Sequence, residues 1–550
     1  MLRAFQWDLA RQIESLDHLL GLLPRYADWG FDRLYLHLED AVDYPSLPGV
    51  ARAGAYPWRD LEKLVATAAA SGIKTVPIAN LLGHTQYLIK TPAWRDLNEL
   101  RDPATGEALP AGQICPLHPR TPELVEKLFA DLAPLCTAGE IHAGLDESFH
   151  LGKHPLSRAE IAAAGLATHF ARHVNRLHTA ASRHQLRLGL WADMLALLPE
   201  AIPQLPPHSG LAAYDWYYHP FDRRPRMELY NFSDYDLAPS LAAAGIAYWA
   251  CPMNGAFRHE SAPVWTDRLQ NLAAWHRRAR ATSATGYLVT SWEPYRLSLP
   301  ATTLMDAAAA TLWLEPATPD DPASLLAAGL RRTEPALGAT SARTLARRLL
   351  ATDTHAFCGN SRWEINNGWA PVAGRRDSPA PHARAARALA RLAATPYVVR
   401  SSSLGFLPAT LRFQSYLARR EVFVRTAASP PPRAPRHYSL LSLNFAWPSP
   451  PTSAPPALPP ARCGPPRAPP PPTPPRKTPG SSPPTLPVCA PSAPGWASPL
   501  AIPEKPFDPR RSPAAGPFAS PSTTSPPATR KSWWNNNNPT APGWSYTPAS

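Results

Sequence analysis

The sequence predicts an α/β chain built on a (β/α)8 barrel, followed by a helical region and a disordered proline-rich tail. Three observations predict it. Residues 1 to about 315 alternate short, apolar, β-rich runs with amphipathic Leu/Ala-rich stretches, the pattern of repeated βα units around a parallel sheet. Residues from about 320 to 428 become helical in character, with Ala/Arg/Leu stretches such as SARTLARRLLAT and HARAARALARLAAT. Beyond Ala428 the composition breaks, and 37 of the 70 prolines fall in residues 430–550. Such a segment buries too little apolar surface to offset the entropy of ordering it.

In chain order, the expected strands are Arg3–Leu9, Arg33–Glu39, Ile73–Ile78, Glu140–Leu145, Leu186–Trp191, Gly210–Trp216, Ile246–Ala250 and Gly286–Ser291. Helical spacing of apolar residues marks intervening helices such as Ser15–Ala27 and Trp58–Ser71. The domains expected are a barrel over 1–315, a helical region over 320–428 and a tail over 429–550. The abrupt break at Ala428 fits either a shifted reading frame or a natural Pro-rich tail.

The net charge of +13 suggests a polyanion partner only until it is divided along the chain. The tail from Pro430 holds 11 basic residues against Glu504 and Asp508, and the remainder holds 44 against 40, so nucleic acid is not expected. The six cysteines form no CxxC pair and no zinc-finger spacing, which argues against a structural metal and for a reducing compartment. The first residues lack a secretory-signal pattern, and no run of about 18 apolar residues occurs. A cytoplasmic protein without a membrane span is the expectation.

Chemistry concentrates in Glu140–Gly152, EIHAGLDESFHLG, where an apolar run ends in two adjacent carboxylates. An Asp–Glu pair alone is usually a solvated surface feature. At the C-terminal end of a barrel strand, however, Asp146 and Glu147 fall on the face where barrels carry their active sites. Paired carboxylates suit glycoside hydrolysis, because one must be neutral to protonate the leaving oxygen while the other stays ionised against developing positive charge.

HAGLDE resembles the H-x-G-x-D-E motif of the family-20 glycoside hydrolases, the β-N-acetylhexosaminidases, and other stretches agree in order along residues 1–300. WDLAR resembles the first-strand motif, whose arginine corresponds to Arg11. LYLHLEDAVDYP resembles the second-strand motif and offers Glu39 and Asp40, while PIANLLGHTQYLIK offers His84. GLWADML resembles the fifth-strand motif with Trp191 and Asp193, and YDW and SWEPY offer Tyr214, Trp216, Trp292 and Glu293. The likeness is greatest to the hexosaminidase D-like branch, with Leu151–Gly152 after the carboxylates.

The resemblance implies a retaining exo-acting enzyme that removes a terminal N-acetylhexosamine, GalNAc or GlcNAc, from a glycan or glycoconjugate. It implies substrate assistance, in which the 2-acetamido carbonyl attacks the anomeric carbon, with Glu147 as acid/base, Asp146 orienting the acetamide, and no metal or organic cofactor. Bland readings stand beside these. Arg11 could cap the sheet or pair with Glu14, and His84 could be a satisfied loop histidine. Asp193 could shape the site without touching substrate. Trp191, Trp216, Trp249 and Trp292 fall near strand ends, where they could be core or could wall a sugar pocket. A noncatalytic glycan-binding barrel and a Pro-rich interaction protein using Pro-x-x-Pro segments are the rival functions.

Overall fold

The computed structural model describes residues 1–206, 210–219, 221, 236–255, 263–292, 299–354, 379–396, 398 and 403–428. Eight parallel strands close a barrel in sequence order: β1 Leu2–Asp8, β2 Arg33–His37, β3 Lys74–Ile78, β4 Glu140–His142, β5 Arg187–Trp191, β6 Leu211–Trp216, β7 Ala247–Cys251 and β8 Gly286–Val289. All eight expected strands are present, but two stop early for a backbone reason. The run through Leu145 leaves β4 after His142, where Gly144 and Leu145 take φ of 70° and 74°; β2 ends before Glu39, at φ 42°. A left-handed residue cannot continue a strand.

Side chains alternate between the two faces of the barrel wall. On β1, Phe5 and Trp7 point outward and pack with Tyr26 of the helix Leu16–Asp28, whereas Ala4 lies inside with Tyr35, Tyr214, Trp249 and Leu288. Two glycines make this interior possible. A Cβ on Gly286 would run into the Trp249 ring, and one on Gly189 would press on His142 and Tyr214. The floor of the barrel is polar: Tyr214 donates to Glu140, Tyr35 and Tyr214 share a hydrogen bond of 2.5 Å, and Arg187 stands 3.3 Å from the Glu140 carboxylate.

Beyond the barrel the chain forms the helices Leu299–Ala309, Pro322–Thr333, Ala339–Leu350, Ala380–Ala393 and Phe406–Ala428. The first two of these, and the short helix Thr311–Leu314 between them, are bonded to the barrel's first helix and the residue that ends it. Tyr26 donates to Asp306 at 2.6 Å, Arg25 to the Thr333 carbonyl at 2.7 Å and Trp313 to the Trp29 carbonyl at 2.8 Å. Among the described residues no helix is long and apolar enough to cross a membrane. The Pro-rich segment 429–550 lies outside the described residues.

Candidate active site

The strand register brings Asp8 of β1 opposite His37 of β2, and His142 of β4 opposite Ile78 of β3, at the end of the barrel where the long βα loops begin. From there three loops converge. The loop after β3 carries Asn80, Gly83 and His84; the loop after β4 carries Asp146 and Glu147; the turn after β5 carries Asp193. His84 Nε2 stands 3.3 Å from Asp146 Oδ2 and 3.3 Å from Glu147 Oε2, so one imidazole bridges both carboxylates.

Burial disfavours charge on His84, but the Asp146 and Glu147 carboxylates outweigh it and hold its pKa well above the usual histidine value. Burial likewise works against an ionised Asp146, and the His84 cation prevails, keeping this carboxyl below its usual range. Asp146 is thus ready as an anion, with Oδ1 buried and without a protein partner.

The backbone around these groups is unusual. Glu39, His84, Leu145 and Glu147 all have positive φ, at 42°, 54°, 74° and 48°. Non-glycine residues rarely take this conformation, and where they do the surroundings must hold them. Here the holding contacts are visible. The Glu147 N–H donates to Asp193 Oδ2 at 2.9 Å, the Gly83 N–H donates to Ser148 Oγ at 3.1 Å, and Gly83 lies so close to the Asp146 carbonyl that no Cβ fits between them. Burial first, then the Asp146 charge, pushes the Asp193 carboxyl up to about 8, so it carries a proton at neutral pH.

A second network supports the other side of the mouth. His37 Nδ1 donates to Asp8 Oδ1 at 2.7 Å and its Nε2 faces Glu39 Oε1 at 3.2 Å; Asn80 Nδ2 donates to the same Glu39 oxygen at 3.2 Å. Burial opposes the His37 charge, but Asp8 and Glu39 raise its pKa to about 9. Arg11 donates to Asp8 Oδ2 at 2.8 Å, and its guanidinium lies 5.3 Å from the Trp292 ring. Trp292 meets Trp191 edge-on at 5.6 Å and donates from Nε1 to the Tyr218 hydroxyl at 2.7 Å, while Trp216 stacks on Tyr218 at 4.9 Å. These four rings form an aromatic wall.

Most expected site residues therefore meet at the mouth: Arg11, Glu39, His84, Asp146, Glu147, Trp191, Asp193, Trp216 and Trp292. Three do not join them. Asp40 is engaged at the rim by Lys90 and Arg52. Tyr214 is fully buried on the barrel floor, its hydroxyl taken by Glu140 and Tyr35, because the pleat turns it inward below the strand end. Trp249 lies mid-strand in β7, stacked on Tyr214 at 5.0 Å over Gly286, and is core. Glu293 lies outside the described residues. Sequence reasoning missed Asp8, His37, Asn80 and Tyr218. The alternation in LYLHLED, which turns His37 inward at a strand end, is the signal that could have found one of them. Among the described residues no group of three or more His, Cys, Asp or Glu side chains is arranged to hold a metal.

Residues 1–207 match the model of the glycosyl hydrolase family 20 catalytic domain. A beta-N-acetylhexosaminidase of Cellulomonas fimi is 29% identical over 163 residues, 26% of this chain and 32% of the relative. A beta-hexosaminidase of Akkermansia muciniphila is 28% identical over 169 residues, 26% of this chain and 34% of the relative. The chain thus spans about a third of the length of the curated relatives it matches. The solved Streptomyces plicatus N-acetyl-beta-hexosaminidase aligns over 60% of this chain and 68% of its own at 18% identity, with a TM-score of 0.45. Over the first five strands and the whole His84–Asp146–Glu147 constellation, this chain is similar to a family-20 glycosyl hydrolase catalytic domain.

Proposed function

We propose that this chain is a retaining exo-β-N-acetylhexosaminidase of the hexosaminidase D-like branch, acting on a terminal N-acetylhexosamine through substrate assistance. The observation that carries the proposal is the adjacent Asp146–Glu147 pair, fixed at a barrel-strand end and bridged by the cationic His84. In the first step the acetamido carbonyl oxygen attacks the anomeric carbon as its bond to the leaving oxygen breaks, and Glu147 gives its proton to that oxygen. Asp146, held ionised by His84, accepts the acetamido N–H and stabilises the positive charge that grows on the oxazolinium. Water then enters, Glu147 removes its proton, and its attack on the anomeric carbon from the face the leaving group vacated breaks the bond to the acetamido oxygen, which restores the acetamide and the original configuration.

Arg11 and Glu39 line the mouth where sugar hydroxyls would be held, and Trp216 and Trp292 offer apolar faces to the ring and acetamido methyl, with Trp191 buried behind Trp292. A 2-acetamido glycoside should be turned over while its 2-hydroxy counterpart is almost inert, because only the former carries its own nucleophile. A cyclic thiazoline that mimics the oxazolinium should inhibit strongly. Equal cleavage of both glycosides without thiazoline inhibition would overturn the proposal. Rates on matched N-acetylgalactosaminide and N-acetylglucosaminide substrates decide the sugar preferred.

A further inference from the structure

We infer that Phe149 forms the platform that receives the leaving group, and that it favours aglycones with a flat apolar face. This inference rests on the reading of Glu147 as the proton donor. The donor must reach the glycosidic oxygen, so whatever is bonded to that oxygen has to leave past Glu147 and over the loop that carries it. Phe149 is two residues further along this loop, and its N–H is bonded to the Glu147 carbonyl at 2.8 Å. Phe149 is nonetheless 46% exposed.

Single exposed apolar residues are ordinary on protein surfaces, so exposure by itself decides nothing. What sets Phe149 apart is the fixed backbone that follows it. Glu99, fully buried in the loop after β3, accepts the N–H groups of Gly152, Lys153 and His154 on Oε1 at 2.8, 3.1 and 3.3 Å, and the Ser157 hydroxyl on Oε2 at 3.0 Å. Gln113 Oε1 accepts the His150 N–H at 3.1 Å. The loop backbone just past Phe149 is therefore held at His150, Gly152, Lys153 and His154, with Leu151 buried among them, while Phe149 itself stands exposed. A ring held on an ordered loop binds without first losing much conformational entropy, which is the requirement for a preformed recognition surface. A flat apolar partner, such as an aryl group or the C–H face of a second pyranose, matches an aromatic ring in this position.

The test compares methyl and benzyl glycosides of the same N-acetylhexosamine, whose alcohols are similar in acidity, so that the chemical step is matched and only the aglycone face differs. In Phe149→Ala the ratio of kcat/KM for benzyl over methyl should fall about tenfold. Phe149→Gln, a polar replacement at an exposed position, should give the same fall, whereas Phe149→Tyr should keep the ratio. An unchanged ratio in Phe149→Ala and Phe149→Gln, whether both rates hold or fall together, would overturn the platform alone. No turnover of either glycoside by the unaltered enzyme would overturn the hexosaminidase reading and the platform with it.

Discussion

Replacing Gly83 by alanine perturbs the proposed catalytic pair through a single methyl group. A Cβ at this position would fall well inside 3.0 Å of the Asp146 carbonyl oxygen, with the Ser148 hydroxyl 3.3 Å away. Neither neighbour is the free end of a long side chain, so the loop carrying Asp146 and Glu147 has to move by on the order of 1 Å. A displacement of that size in a positioned catalytic group is worth roughly 10²-fold in rate. Overpacking of this kind usually costs about 1–3 kcal/mol of stability, which a domain of this size survives. The assay is kcat on a chromogenic N-acetylhexosaminide beside a thermal unfolding curve. The expected result is a folded protein with about a hundredth of the turnover. Near wild-type turnover would refute the idea that this backbone contact sets the geometry of the pair.

Three further outcomes are expected. Glu147→Gln should lower turnover of an unactivated glycoside by about 10²–10⁴-fold, with a smaller defect on a nitrophenyl glycoside whose leaving group needs little protonation; equal rates for wild type and variant on the unactivated substrate exclude Glu147 as the acid. The His37 pKa lies at about 9, above its usual 6.5, so its contribution to stability is complete below about pH 6.5 and is lost as pH rises through about 9. Denaturation of wild type and His37→Gln at pH 6 and pH 9.5 should show a gap that narrows by on the order of 3 kcal/mol, and a gap independent of pH counts against a charged His37. Asp193→Asn should keep most activity at pH 7, since an amide oxygen still accepts the Glu147 N–H, and should lose the fall in rate that Asp193 ionisation causes in wild type near pH 8. Asp193→Ala removes the acceptor and should lose activity at every pH, which a spectator residue would not.

The strands of this barrel were legible because a parallel sheet covered on both faces reads as apolar runs, and runs such as RLYLH and RLGLW stand out from the helices between them. Asp146 and Glu147 were legible because they follow such a run directly. Position along the strand was less legible, and it decided the fate of the aromatics. An expected end at Ala250 made Trp249 look like a rim residue, but β7 runs on to Cys251 and leaves it as core. Tyr214 is turned inward by the pleat and finds the buried Glu140, a partner 74 residues away that no local pattern announces. The same holds for Glu99 and the loop it pins, and for His37 and Asp8. Least legible were the left-handed residues. Glycine advertises such a conformation, whereas Glu39, His84, Leu145 and Glu147 adopt it without any compositional sign. Among the described residues only Gln185 and Ser283 share it outside the site, each in the turn that follows a helix and leads into a strand. Strain that local sequence does not request has to be imposed by contacts across the fold. Three of the βα loops whose contacts impose it here, after β2, β3 and β4, bring Glu39, His84 and the Asp146–Glu147 pair to the barrel mouth, so the backbone marks this site without reference to any relative.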